Sequence, residues 1–180
     1  LDLVLVIDKP TGMTSHDVVA RIRRSSGIRR VGHTGTLDPS ATGVLVLLVG
    51  RATRLAQFFV DDEKDYRGEM ILGVATDSHD AEGEITSTAA VDGITAADIE
   101  RALAGFTGSI EQVPPMVSAI KKDGTPLYVL ARRGVTVPRE PRKVVVRRLA
   151  LSEYRAPVAR FEVTCSKGTY VRTLAHDVGR

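Results

Sequence analysis

Gly32-His33-Thr34-Gly35-Thr36-Leu37-Asp38-Pro39-Ser40-Ala41-Thr42-Gly43 runs straight into Val44-Leu45-Val46-Leu47-Leu48-Val49. Glycines, a proline and hydroxyl residues at this density carry neither helical nor strand periodicity, so 32–43 predicts a long irregular loop. The apolar run after it shows no polar alternation and predicts a strand covered on both faces, in the middle of a sheet. A polar loop feeding a central strand is a frequent place for function, because a rigid scaffold then positions the loop's side chains. Asp38, just before Pro39, is the carboxylate that such a loop would present in a fixed pose.

Working outward, Leu3 to Ile7 reads as a strand and Asp8 to Gly12 as a turn. Thr14 with Asp17 predicts a capping box, and a helix to about Ser25 would bury Val18, Val19 and Ile22 before stopping at Gly27. A short helix is expected over 52–60. Lys64 to Leu72 alternates as a strand with Tyr66, Gly68, Met70 and Leu72 on one face. Thr76 to Glu84 is an acidic loop. Thr95 and Asp98 start another helix, whose apolar face is Ile99, Ala102, Leu103 and Phe106. Lys143 to Leu151 and Val158 to Cys165 are strands able to pair, and Ser166 to Thr169 turns the chain into a last helix reaching Val178. Between them, Glu111 to Pro141 is too long and irregular for an ordinary connection, apart from a helical patch at 128–133. Strands and helices follow one another without regular βα alternation, so the fold expected is α+β, with a mixed, largely antiparallel sheet flanked by helices.

Composition sets the outer limits. The 180 residues are 43% hydrophobic, enough for one domain with a real core. A net charge of +3 does not by itself predict a nucleic-acid partner, but the charge is segregated. No acid lies between Val18 and Leu37, where Arg21, Arg23, Arg24, Arg29, Arg30 and His33 fall. A second basic stretch holds Arg132, Arg133, Arg139, Arg142, Lys143, Arg147 and Arg148 against Glu140. The acids gather at 61–65 and 77–84. Segregation of this kind gives a polyanion one attractive face. The single cysteine, Cys165, excludes an intrachain disulfide and a cysteine zinc cluster, which makes the reducing cytoplasm the default compartment. Leu1 to Ile7 and Val44 to Val49 are too short to span a membrane.

Several residues are candidates for chemistry. Asp38 is a base or nucleophile, or a turn-capping Asp. His33 is an acid, a ligand or a packing group. Arg172 follows a turn holding Lys167 and Gly168, where a helix start can take a phosphate. An arginine there can also pair bidentately with a carboxylate and keep it ionised; Asp38 is the partner envisaged. Tyr66 is a core tyrosine or a ring lining a base pocket. Asp77, His79 and Asp80, with His33 and Asp38, have the residue types of a metal-dependent phosphoesterase. On these residues alone the reading stops at an enzyme directed at RNA or a nucleotide.

The 32–43 loop closely resembles the signature of the bacterial tRNA pseudouridine-55 synthases, the TruB family. Asp8-Lys9-Pro10-Thr11-Gly12-Met13-Thr14-Ser15 resembles the family's N-terminal motif, Lys64-Asp65-Tyr66-Arg67 its tyrosine motif, and Cys165-Ser166-Lys167-Gly168-Thr169-Tyr170-Val171-Arg172 its arginine motif. The resemblance runs through nearly the whole chain, in the family's order. It implies the pseudouridine synthase catalytic fold over 1–180 and conversion of one uridine in the TΨC arm of tRNA to pseudouridine, with no cofactor, no metal and no obligate protein partner, by a cytoplasmic monomer. It implies Asp38 as catalytic aspartate, Tyr66 as the ring against the target base and Arg172 as the carboxylate's partner. His33 is implied to help hold the rearranged loop and the flipped nucleotide, and Lys9 to support the site; Lys167, at its helix start, and Arg142 and Lys143, in the second basic stretch, are expected to bind the RNA's phosphates. The segment at about 111–141 matches the family's inserted RNA-gripping element. Members continue past Arg180 with further catalytic sequence and a C-terminal PUA-type domain, so the chain is expected to be incomplete there, and residues are expected before Leu1. The rival functions are a metal-dependent RNA phosphoesterase and a tRNA-binding or folding chaperone.

Overall fold

The computed structural model describes residues 1–60 and 62–180. Asp61, part of the expected acidic cluster, lies outside them. The chain forms two compact units, Leu1–Asp62 and Glu63–Arg180.

In the first unit, β1 (Leu3–Lys9) leads into α1 (Ser15–Ser26), followed by β2 (Val31–His33), β3 (Gly43–Val49), a 3-10 helix (Gly50–Leu55) and α2 (Ala56–Val60). β3 pairs antiparallel with β1 on one side and β2 on the other, as its unbroken apolar run requires. Leu5 faces Leu47 and Ile7 faces Leu45 across the β1–β3 ladder. These side chains meet Val18 and Val19 of α1 in one core, in which Leu47 is fully buried. A Leu buried in this way stabilises the fold by about 2 kcal/mol. Leu37 packs on the same core, so the residue before Asp38 ties the loop to the sheet. The Thr14 hydroxyl accepts from the Asp17 amide at 3.0 Å, and the Asp17 carboxylate accepts from the Thr14 amide at 2.9 Å. The Thr14 hydroxyl, donating to the Asp17 carboxylate at 2.6 Å, and then the Thr14 amide hold that carboxyl below the usual carboxylate range. Gly27 closes the helix at φ 71, a left-handed conformation that glycine adopts without a Cβ clash.

In the second unit the elements are β4 (Lys64–Ile71), β5 (Val74–Thr76), β6 (Ile85–Thr88), α3 (Ala96–Ala104), β7 (Gly108–Gln112), β8 (Lys121–Lys122), β9 (Thr125–Pro126), α4 (Leu127–Arg132), β10 (Arg142–Arg155), β11 (Val158–Cys165) and α5 (Val171–Val178). An antiparallel sheet runs β4–β11–β10–β7. Its covered face, with Met70, Val146, Phe161 and Val163, packs on Ile99 and Leu103 of α3 and Leu174 of α5. Gly68 lies opposite Phe161, and a Cβ at 68 would come 2.7 Å from the Phe161 ring. The ring therefore occupies the place of the missing side chain.

The fold is α+β, as expected. Several boundaries differ from the sequence reading; β10, expected over 143–151, runs to Arg155. Gly32 and His33 belong to β2, because pairing with β3 gives their backbone partners that the loop composition does not reveal. The 52–60 helix is split into a 3-10 helix and a short α-helix. Glu111 and Gln112 are sheet residues of β7, and 113–141 carries the β8–β9 hairpin and α4. No helix among the described residues is long and apolar enough to cross a membrane.

Candidate functional site

The loop that carries Asp38 is held by the turn after β1. Lys9 is fully buried. Its ammonium donates to the carbonyls of Met13 at 2.7 Å, Pro10 at 2.9 Å and Pro39 at 3.3 Å. The Gly12 amide donates to the same Pro39 carbonyl at 2.8 Å. The buried Ser15 hydroxyl accepts from the Leu37 amide at 2.9 Å and lies 3.3 Å from the Leu37 carbonyl, to which it donates. Thr34 joins the Val46 carbonyl at 3.1 Å. The residues on both sides of Asp38 are thus fixed by the 9–15 segment, while Asp38 itself is half-buried. Burial pushes the Lys9 ammonium below its ordinary value, and the Asp38 carboxylate opposes that shift. His33, on β2, is also pushed below its ordinary value, chiefly by burial, with the Gly35 backbone pulling the other way.

In the second unit Arg172 stands in the first turn of α5. Its guanidinium donates to the Asp80 carboxylate at 2.9 Å and to the Val117 carbonyl, and it lies 5.9 Å from the centre of the Tyr170 ring. The Asp80 side chain is 18% exposed and that of Arg172 11%, so the pair is largely withdrawn from solvent. Asp80 is itself braced: it accepts from the Ser78 hydroxyl at 2.6 Å and the Glu82 amide at 3.1 Å. The start of α5 is clasped by Gln112, whose amide oxygen takes the Tyr170 amide at 2.8 Å and whose amide nitrogen gives to the Tyr170 carbonyl at 3.1 Å. Gln112 is 2% exposed, so both polar ends are satisfied inside the protein.

The candidates divide between the units. Lys9, His33 and Asp38 belong to the first, and Lys9 and Asp38 are brought together there. Tyr66, Arg142, Lys143, Lys167 and Arg172 belong to the second. Tyr66, half-buried on β4, packs against the sheet's core. Lys167 is exposed in the turn before α5, beside Gly168 at φ 81. Arg142 and Lys143 are exposed where β10 begins, and Lys143 stands opposite Glu111. The acidic 77–84 loop supplies Arg172 with a carboxylate, which its composition alone does not suggest. Among the described residues no group of three or more His, Cys, Asp or Glu side chains converges to hold a metal ion.

The family model "TruB family pseudouridylate synthase (N terminal domain)" matches residues 23–171. The chain belongs to the TruB family. It is 56% identical, over its whole length, to the tRNA pseudouridine synthase B of Symbiobacterium thermophilum, and 53% identical to that of Opitutus terrae. It spans 61% and 75% of those two relatives, and 58% of that of Syntrophotalea carbinolica, to which it is 52% identical. Among solved structures it resembles a chain of a Cbf5-Nop10-Gar1 complex, with a TM-score of 0.72 at 31% identity, covering 98% of this chain and 43% of that one. A chain of an H/ACA RNP bound to a substrate RNA containing 2'-deoxyuridine gives 0.69 at 27% identity, covering 98% and 41%. Membership in this family accounts for the motif order read from the sequence.

Sequence reasoning missed Ser15 and Gln112 as site-building residues and gave Asp80 another role. Asp80 reads from the sequence as a metal-ligand type in an acidic loop, not as a carboxylate for an arginine 92 residues away. Ser15 read as an ordinary first-turn residue after a capping threonine. Gln112 sits at the end of a strand, and nothing local marks it as the clasp of a helix 58 residues further on.

Proposed function

We propose that the protein converts a uridine in the TΨC arm of tRNA to pseudouridine, with Asp38 as the group that acts on the flipped nucleotide. The observation that carries this reading is the double grip on the residues flanking Asp38: Lys9 and Gly12 on Pro39, and Ser15 on Leu37. A half-buried carboxylate that faces a buried ammonium, on a loop whose flanking residues are held, needs little reorganisation when a substrate arrives. The curated relatives' name, tRNA pseudouridine synthase B, supports the same reaction class.

The target base lies within a folded arm and must be extruded before its glycosidic bond can react. The bond from C1′ to N1 breaks, a bond from C1′ to C5 forms, and the C5 proton leaves while N1 gains one. The product is an isomer, so no oxidant, reductant or second substrate is consumed. Asp38 serves by attack at C1′, by removing the C2′ proton, or by addition at C6. Tyr66 stacks on the base and Arg172 supports the charged site from α5. His33 and Lys167 contact the displaced nucleotide and its phosphates.

Phosphate contacts position the RNA without reading its sequence. A cavity of about 290 Å³ lined by Lys121, Lys122, Arg139 and Arg142, with Glu140 on its wall, suits that role in the 111–141 segment. The enzyme works as a cytoplasmic monomer; the single, buried Cys165 fits a reducing compartment. The test is tritium release from tRNA labelled at uridine C5. The protein should release tritium and leave pseudouridine at one position. Asp38→Asn should slow release at least ~10²-fold, the lower bound for a positioned proton-transfer group, with RNA binding little changed. Appreciable release by Asp38→Asn sinks the assignment.

A further inference from the structure

His79 and Asp80 are neighbours in the 77–84 loop, and each meets α5. The Asp80 carboxylate takes the Arg172 guanidinium at 2.9 Å. The His79 ring lies flat on the His176 ring, with centroids 3.9 Å apart and planes 5° from parallel. Arg172 and His176 are four residues apart, one turn along the same helix face. A third bond joins the loop to the helix: His79 Nδ1 lies 3.2 Å from the hydroxyl of Thr173, which is buried. His79 adopts φ 64, a left-handed conformation that a non-glycine residue holds only when its surroundings enforce it.

We propose that His79 is a positioning residue: its ring, stacked on His176 and bonded to Thr173, clamps the 77–84 loop to α5 and thereby seats the Asp80 carboxylate on Arg172. For the reaction this rests on the reading above, in which Arg172 supports the site. The clamp requires a neutral ring. His176 and Arg172 face His79 from α5 and Arg139 faces it from the 111–141 segment, while Asp80 of its own loop opposes them. Two imidazolium rings stacked beside two guanidinium groups repel. Burial, with that cationic surround, lowers His79 to about 4. The folded protein therefore takes up this proton later than the unfolded chain, whose histidine titrates near 6.5. The clamp's contribution is complete above about 6.5 and is lost as the pH falls towards about 4.

The experiment is amide hydrogen exchange across residues 77–84, from pH 7 to pH 4, in the protein and in two variants. Asn at 79 tolerates the left-handed backbone but offers no ring; Phe offers the ring but cannot titrate. His79→Asn should raise loop exchange on the order of 10-fold at pH 7, as expected when a local closing interaction is removed, with α3 unchanged. His79→Phe should keep most of the protection and lose the pH dependence. In the tritium assay His79→Asn should lower kcat with KM for tRNA nearly unchanged, and His79→Phe should recover it. Unchanged loop exchange in His79→Asn, or the same pH dependence in His79→Phe as in the native protein, overturns the clamp. If the native protein makes no pseudouridine, the proposed function fails while the exchange data still decide the clamp.

Discussion

The ammonium of Lys9 and the carbonyl oxygen of Pro39, 3.3 Å apart, join the end of the first strand to the residue after Asp38. Two further carbonyls, of Pro10 and Met13, complete the ammonium's donor set. A fully buried lysine is tolerable because each of its protons has an acceptor.

Replacing Lys9 with Met keeps the stem's volume and removes the charge. Three carbonyls then lose a donor; that of Pro39 keeps the Gly12 amide and Pro10 is exposed, so the Met13 carbonyl carries most of the cost, and a loss of about 1–3 kcal/mol is expected. Urea denaturation followed by circular dichroism measures it. Tritium release should fall as well, because the loop loses one of its two grips on Pro39. A Lys9→Met protein as stable as the native one would show that the ammonium contributes no net support.

Asp80→Asn leaves the shape of the loop but takes the charge away from Arg172. Removing one partner of a largely buried ion pair costs about 3–5 kcal/mol. The residual exposure of both side chains and the hydrogen bonds Asn still makes put the expected value at the lower end. Guanidinium chloride melts measure the stability change. Turnover should fall more than affinity for tRNA, since Arg172 loses its orientation while the exposed basic residues assigned to RNA stay in place. Equal losses in kcat and in binding would argue that the pair serves RNA docking instead.

Reversing Arg142 and Lys143 to Glu touches neither core, for both side chains are exposed. Stability should change by less than about 0.5 kcal/mol, as is usual for surface positions. Affinity for tRNA should drop, and the slope of log K against log salt should shrink by about 2 if each residue neutralises one phosphate. Filter binding over a salt series reports both. An unchanged slope would remove the two residues from the interface.

Histidine 79 shows how far reading by composition goes. Asp77, His79 and Asp80 are metal-ligand types in an acidic loop by composition, yet His79 is stacked and Asp80 is paired. Both partners lie more than 90 residues away in sequence. The choice between an exposed acidic loop and a braced ion pair depends on where α5 comes to rest. That is fixed by Leu174 in the core and by Gln112 at the helix start.

Local physics alone determined β1, β3, β4, β10 and β11, the capped helices α1 and α3, the central place of Val44–Val49 and the identity of the Asp38 loop. Those follow from side-chain periodicity, capping chemistry and an unbroken run of signature residues, all carried by neighbours in the chain. The tertiary structure alone decided that Lys9, Gly12 and Ser15 hold that loop, that Asp80 places a carboxylate on Arg172, and that Gln112 clasps the start of the last helix. Such contacts form when hydrophobic burial brings distant segments together, and the polar groups left inside must then find whichever partners the packing supplies.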